Sequence, residues 1–151
     1  MANNKKPRKR YNPRKVLCDS SPMFRYSKEQ ADALKLRIYY HHSRANTGIG
    51  NGADYNALMY RLRVGNGLVE HFVNPDAEEL ITRALVIVKP MLEQLEASGV
   101  FGFASPKDGE LVREALAVID DIHDATTRIE QLPVHDRVYN SQDHTLETRY
   151  P

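Results

Sequence analysis

The stretch Ser105-Pro-Lys-Asp-Gly-Glu-Leu-Val-Arg-Glu-Ala115-Leu-Ala-Val-Ile-Asp-Asp-Ile-His-Asp-Ala125-Thr-Thr-Arg-Ile-Glu-Gln-Leu-Pro133 decides the fold class. Ser105 offers an N-cap oxygen, and Pro106 fits the first helical position, where no backbone donor is needed. Leu111, Ala115, Val118, Ile122, Ala125, Ile129 and Leu132 then recur at alternating spacings of four and three, which is one face of a helix. Pro133, lacking an N–H, is expected to close it.

The segment before it repeats the pattern. Asn74-Pro75-Asp76-Ala-Glu78-Glu79 opens a helix with a cap, a proline at the first position and three acids at the positive end of the dipole. Ala77, Ile81, Ala84, Val88, Met91 and Leu95 form its apolar face. Pro90 falls inside the run and should bend or split it near residues 86–89, and Gly99 is the expected stop. Val100-Phe-Gly-Phe103 reads as an apolar link whose aromatics pack over a helix end.

Further upstream, Ser27-Lys-Glu-Gln30 has capping-box spacing, and Ala31, Leu34, Ile38, His41 and Ala45 share a face. The run ends in Asn46-Thr-Gly48-Ile-Gly50-Asn-Gly52, because glycine costs a helix about 1 kcal/mol relative to Ala. A next helix is expected from Asp54 as N-cap, with Tyr55, Leu58, Leu62, Gly65, Val69 and Phe72 on one side. Gly65 lies on that apolar side, so it can admit a close helix neighbour. No strand-period run competes. The pattern predicts an all-α fold, an antiparallel bundle of three to four helices over residues 27–133. Residues 134–151 are polar and read as a tail, either a short helix or disordered.

The first fifteen residues differ from all of this. They carry Lys5, Lys6, Arg8, Lys9, Arg10, Arg14 and Lys15 and no acid. The whole chain has 21 basic and 20 acidic residues, so removing these seven leaves 14 against 20. A near-neutral total therefore hides a cationic arm on an acidic body. With Pro7, Pro13 and Pro22 and little periodicity, residues 1–26 read as an extended arm. Such a cluster gains from phosphate by Coulomb attraction and counterion release, and Tyr11 among the cations can stack on an exposed base. The plainer alternatives are a solvated tail and docking on an acidic protein.

Other constellations are weaker. Asp120, Asp121 and Asp124 form an acidic group, with Asp120 and Asp124 four apart on one helix side. A solvated or salt-bridged face is the plain reading, and a surface for a basic partner is the functional one. His123 beside them suggests divalent metal only remotely, since nothing completes a shell. His41 falls on an apolar stripe and reads as a core-edge histidine. The glycine-rich 48–52 segment lacks the Gly-Lys-Ser/Thr ending of a phosphate loop. The lone Cys18 permits no internal disulfide, and a reducing cytosol is the expected setting. Absent Trp excludes tryptophan-based binding platforms. No membrane span or secretory signal is expected. No catalytic signature stands out, so the expectation is a protein that is not an enzyme, with no cofactor and no metal.

Three segments resemble a group of small helical proteins encoded by bacteriophages and prophages of proteobacteria. They are Lys6-Pro-Arg-Lys-Arg-Tyr-Asn-Pro-Arg-Lys15, Asp54-Tyr-Asn-Ala-Leu58 with Asn66-Gly-Leu-Val-Glu70, and Ala115-Leu-Ala-Val-Ile-Asp-Asp-Ile-His123-Asp-Ala-Thr126. The resemblance implies a bacterial host cytoplasm and a regulatory or host-modulating role, and it transfers no catalytic residue. The expected partners are nucleic acid (DNA or RNA) or a host nucleoprotein complex, reached through the arm. Alternatives are a host protein, such as a defence machine, inhibited through the acidic segment 106–132, and self-association as a homo-oligomer within a virion or assembly.

Overall fold

A computed structural model describes residues 27–141. Among them lie six helices: α1 (Lys28–Asn46), α2 (Gly52–Val69), α3 (Pro75–Val88), α4 (Met91–Ser98), α5 (Pro106–Ala125) and α6 (Arg128–Tyr139). The expected all-α class is what the described residues show, with more and shorter helices than the sequence pattern suggested. The basic arm and residues 142–151 lie outside the described residues.

α2 is the centre. It packs against α1, α3, α5 and α6. Twelve of its 18 residues are buried, and the others, with Asn56, Tyr60, Arg63 and Asn66 among them, fall along one stripe. Its cap is Asn51 and not Asp54. The Asn51 side chain accepts the Asp54 N–H at 3.1 Å, and the Asp54 carboxylate accepts the Asn51 N–H at 2.8 Å. Asp54 thus serves as the reciprocal member of a capping box that begins three residues earlier than expected. Gly65 admits its neighbour as anticipated: a Cβ there would overlap the Ile119 side chain of α5. Gly67 does the same for α6, since a Cβ would stand 2.6 Å from Val134 Cγ1.

α3 and α4 follow the sequence closely. Pro90 splits them, and Ala77, Ile81, Ala84, Val88, Met91 and Leu95 are all buried, so one apolar face continues across the break. Gly99 caps α4 in the left-handed region at φ 76°. The following link is packed: Phe101 is fully buried and meets Tyr55 edge-on, with ring centroids 5.8 Å apart. Its backbone exchanges two hydrogen bonds with Gly50, where a Cβ would overlap the Phe101 ring. The glycine-rich loop is therefore a seat for Phe101 as well as a connection.

The last segment departs most. The continuous helix expected to Pro133 breaks at Thr126, and Thr127 opens α6 with a capping box to Glu130. Pro133 sits inside α6 instead of ending it. Both Pro133 and Ile129, whose carbonyl the ring displaces, face solvent, so water can take the lost bond. The buried side of α5 is also rotated. Val112, Ala115, Leu116, Ile119 and Ile122 are buried, while Leu111 and Val118 are half-buried and Ile129 and Leu132 are exposed. α5 packs on α1, α2 and α3 together, which widens its inner face beyond a single stripe. Residues 134–139, expected in the tail, belong to α6, and Val134 seats against Gly67.

Candidate functional site

The three aspartates of the acidic group separate. Asp120 turns inward: Arg61 Nη2 donates to its Oδ1 at 2.9 Å, and the Tyr39 hydroxyl donates to its Oδ2 at 3.3 Å. Arg61 is only 7 % exposed, so this is an ion pair inside the helix packing. Burial and then Asp120 raise the Tyr39 hydroxyl's pKa, which keeps it a proton donor. Asp124 lies nearer the surface, where Lys35 Nζ donates to it at 2.6 Å. That contact raises the Lys35 pKa. Asp121 is exposed, on the side of α5 that also presents Glu110 and Glu114.

Beside Arg61 the α5–α6 corner is built from polar groups. Gln131 Nε2 donates to the His123 carbonyl at 2.9 Å and to Thr126 Oγ1 at 2.9 Å, which holds the turn where the two helices meet. His123 and His135 meet edge-on with centroids 6.2 Å apart, and Tyr60 Oη lies 2.8 Å from His135 Nδ1. Burial, reinforced by Arg61, lowers the His123 pKa to about 4, and burial also lowers that of His135. Both imidazoles are neutral at pH 7.

At the far end of α1, His41 lies half-buried at the core edge, where the stripe put it, and its neighbour His42 is buried. His42 Nε2 donates to the Gly109 carbonyl at 2.7 Å, and burial lowers its pKa. His41 Nδ1 instead lies 2.6 Å from Asp54 Oδ1, and Arg44 Nε donates to Asp54 Oδ2 at 2.9 Å. Burial pushes the Asp54 pKa up, but the Asn51 N–H, His41 and Arg44 outweigh it and hold the carboxyl below its usual range.

These contacts stabilise charge and order turns; they do not assemble a nucleophile with a base. Among the described residues no group of three His, Cys, Asp or Glu is arranged to hold a metal ion. No helix among them is long and apolar enough to cross a membrane. A cleft of about 380 Å³ opens beside His123 and Gln131, but Lys28 and Lys35 at its edge are balanced by Asp32 and Asp124. The arm residues Lys5, Lys6, Arg8, Lys9, Arg10, Tyr11, Arg14 and Lys15, and Cys18, lie outside the described residues.

Sequence reasoning missed Arg61, Tyr39 and Gln131. Arg61 carried no signal that set it apart from Arg63, which also stands one residue from Leu62 on the same helix. No protein-family model matches the chain, and no curated protein or solved structure matches it either.

Proposed function

We propose that the protein is a non-enzymatic, helical-bundle binding protein of a phage or prophage, acting in the bacterial host cytoplasm. Its arm contacts nucleic acid or a nucleoprotein complex. The observation that carries this reading is the charge division. Seven cations and no acid stand in residues 1–15, and 14 basic against 20 acidic residues make up the rest. An acidic body is repelled by a polyanion, so attraction has to begin at the arm. Lys5, Lys6, Arg8, Lys9, Arg10, Arg14 and Lys15 meet phosphates, and Tyr11 stacks on a base.

The test is deletion of residues 1–15 with oligonucleotide affinity measured at two salt concentrations. Neutralising seven phosphates gives a log–log salt slope of roughly −6 for the intact chain, which the deletion should flatten. Unchanged affinity after deletion, or no binding by the intact chain, overturns the reading.

The exposed acids of α5 favour a second reading, in which Glu110, Glu114, Asp121 and Asp124 meet a basic groove on a host protein. Asp120 takes no part in that surface, since Arg61 holds it. Charge reversal at Asp121 and Asp124 with retained folding and lost partner capture supports this reading, and retained capture rejects it.

A further inference from the structure

A second group of cations stands on the body itself. A cleft of about 380 Å³ opens where the second half of α2 meets the end of α3 and the end of α6. Arg63, Lys89 and Arg137 line it, against one acid, Glu70. The cleft beside His123 balances two lysines with two aspartates, and another beside Pro90 and Met91 has Asp108 as its charged residue. Three cations to one acid therefore run against a body in which acids outnumber bases.

The three cations come from different helices, and the fold brings them together by identifiable means. Gly67 has no side chain, so α6 lies close on α2. A Cβ at that position would stand 3.0 Å from Arg137 Nη2. Arg63 is oriented by Ser141, whose Oγ accepts from Nη1 at 3.3 Å. Lys89 caps α3 beside the Pro90 break, and the Tyr55 hydroxyl donates to its carbonyl at 3.2 Å, which fixes that backbone. Glu70 holds Arg137 only loosely. Its contact with Arg137 is 3.9 Å long, and both side chains are more than half exposed. Such a pair is worth little in water and yields readily to a better anion. The apolar side chains of Met59, Leu85 and Val138 also line the cleft. Guanidinium groups suit a phosphate ester, because each fork can meet two phosphate oxygens in parallel.

We infer that this cleft is a phosphate-binding site of the body, formed by Arg63, Lys89 and Arg137, and that its ligand is the sugar-phosphate backbone of a nucleic acid strand. This rests on the nucleic-acid reading of the arm and extends it: the arm begins the contact, and the cleft fixes where the strand lies on the helices. Phosphate contacts position a strand without reading its sequence, so the affinity owed to the cleft is independent of base order.

The test uses the full chain and labelled single-stranded and duplex oligonucleotides at two salt concentrations. The Arg63→Gln/Lys89→Gln/Arg137→Gln chain should bind at least about tenfold more weakly, with a salt slope shallower by about 2. Because Arg63 is half-buried, the exposed pair Lys89→Glu/Arg137→Glu is measured alongside and should show the same direction with an unchanged thermal melt. Affinity and slope unchanged in both variants overturn the cleft while leaving the arm reading intact. Binding that survives neutralisation of the arm but falls with the cleft overturns the arm reading and supports the cleft. No oligonucleotide binding by the intact chain overturns both. The source of the phosphate is separated by NMR at the Gly67 and Lys89 amides. Shifts with oligonucleotide but not with equimolar inorganic phosphate support a strand, and the reverse assigns free phosphate and overturns it.

Discussion

Arg61 and Arg63 stand two residues apart on α2, about 200° around its axis, and have opposite surroundings. Arg61 enters the helix packing and meets Asp120. Arg63 opens into a cleft with Lys89 and Arg137. On a helix that serves as the centre of the fold, phase decides whether a charge belongs to the interior or to a ligand. The inward charge has a desolvation cost that only Asp120 and its neighbours offset, so its worth is read in stability. The outward charges line a cleft at the surface, so theirs is read in binding.

The sharpest way to break that contrast is to remove Asp120. Asp120→Ala leaves a buried guanidinium without its carboxylate and should cost about 3–5 kcal/mol in a denaturant melt. The double change Arg61→Met/Asp120→Leu should recover most of it, because an apolar pair of similar volume suffers no such penalty. A single-variant loss below about 1 kcal/mol would mean that Arg61 reaches water, and the two arginines would no longer differ in kind.

Acid should weaken the same inward region next. The His123 pKa is about 4 in the fold and about 6.5 when unfolded, so the unfolded chain takes up the proton first as pH falls. Stability is full above about pH 6.5 and is lost progressively toward pH 4, by up to about 3 kcal/mol from this residue alone. His42 and His135, also lowered by burial, act in the same sense. Asp54, whose pKa is depressed, holds its contribution until the pH falls below the ordinary carboxylate value. A melt series from pH 7 to 4 that stays flat would contradict the burial of these rings. Smaller again is Gly65→Ala, whose methyl meets Ile119 and should cost about 1–3 kcal/mol. Ile119→Val in the same chain should return part of that, a coupling that a double-mutant cycle reads directly.

The two kinds of charge also differed in how legible they were. Apolar periodicity located every helix from α1 to α5, and it named all six buried residues of the α3–α4 face, because a two-sided helix buries only what its stripe shows. It failed on α5, where three neighbours bury a wider arc, so Leu116 and Ile119 replaced Leu111 and Val118 as fully covered positions. The break before α6 was written in the Thr127-x-x-Glu130 spacing of a capping box, but the longer apolar repeat and Pro133 obscured it. The separation of Asp120 from Asp121 and Asp124 had no local signal at all. It depends on Arg61, 59 residues earlier, and long-range pairing leaves no trace in the spacing of one helix. The cationic cleft was invisible for the same reason, since Arg63, Lys89 and Arg137 come from three helices.

The smallest stability effect is expected where the largest binding effect lies. Lys89→Gln and Arg137→Gln should leave the melting temperature within about 2 °C, because exposed charges at long separation contribute little to folding. Arg137 supports this directly, since its contact with the Glu70 carboxylate is 3.9 Å long and both partners are well exposed. Glu70→Gln sharpens the point, because it removes the one acid of the cleft without touching a cation. If Arg63, Lys89 and Arg137 serve an anion, that change should leave the melt in place and tighten oligonucleotide binding, most at low salt, where the competing charge is least screened. If Glu70 instead holds Arg137 for the sake of the fold, the same change should lower the melting temperature and leave affinity alone. One substitution, measured by calorimetry and by fluorescence anisotropy, therefore separates a cation kept for structure, as Arg61 is, from one kept for a ligand.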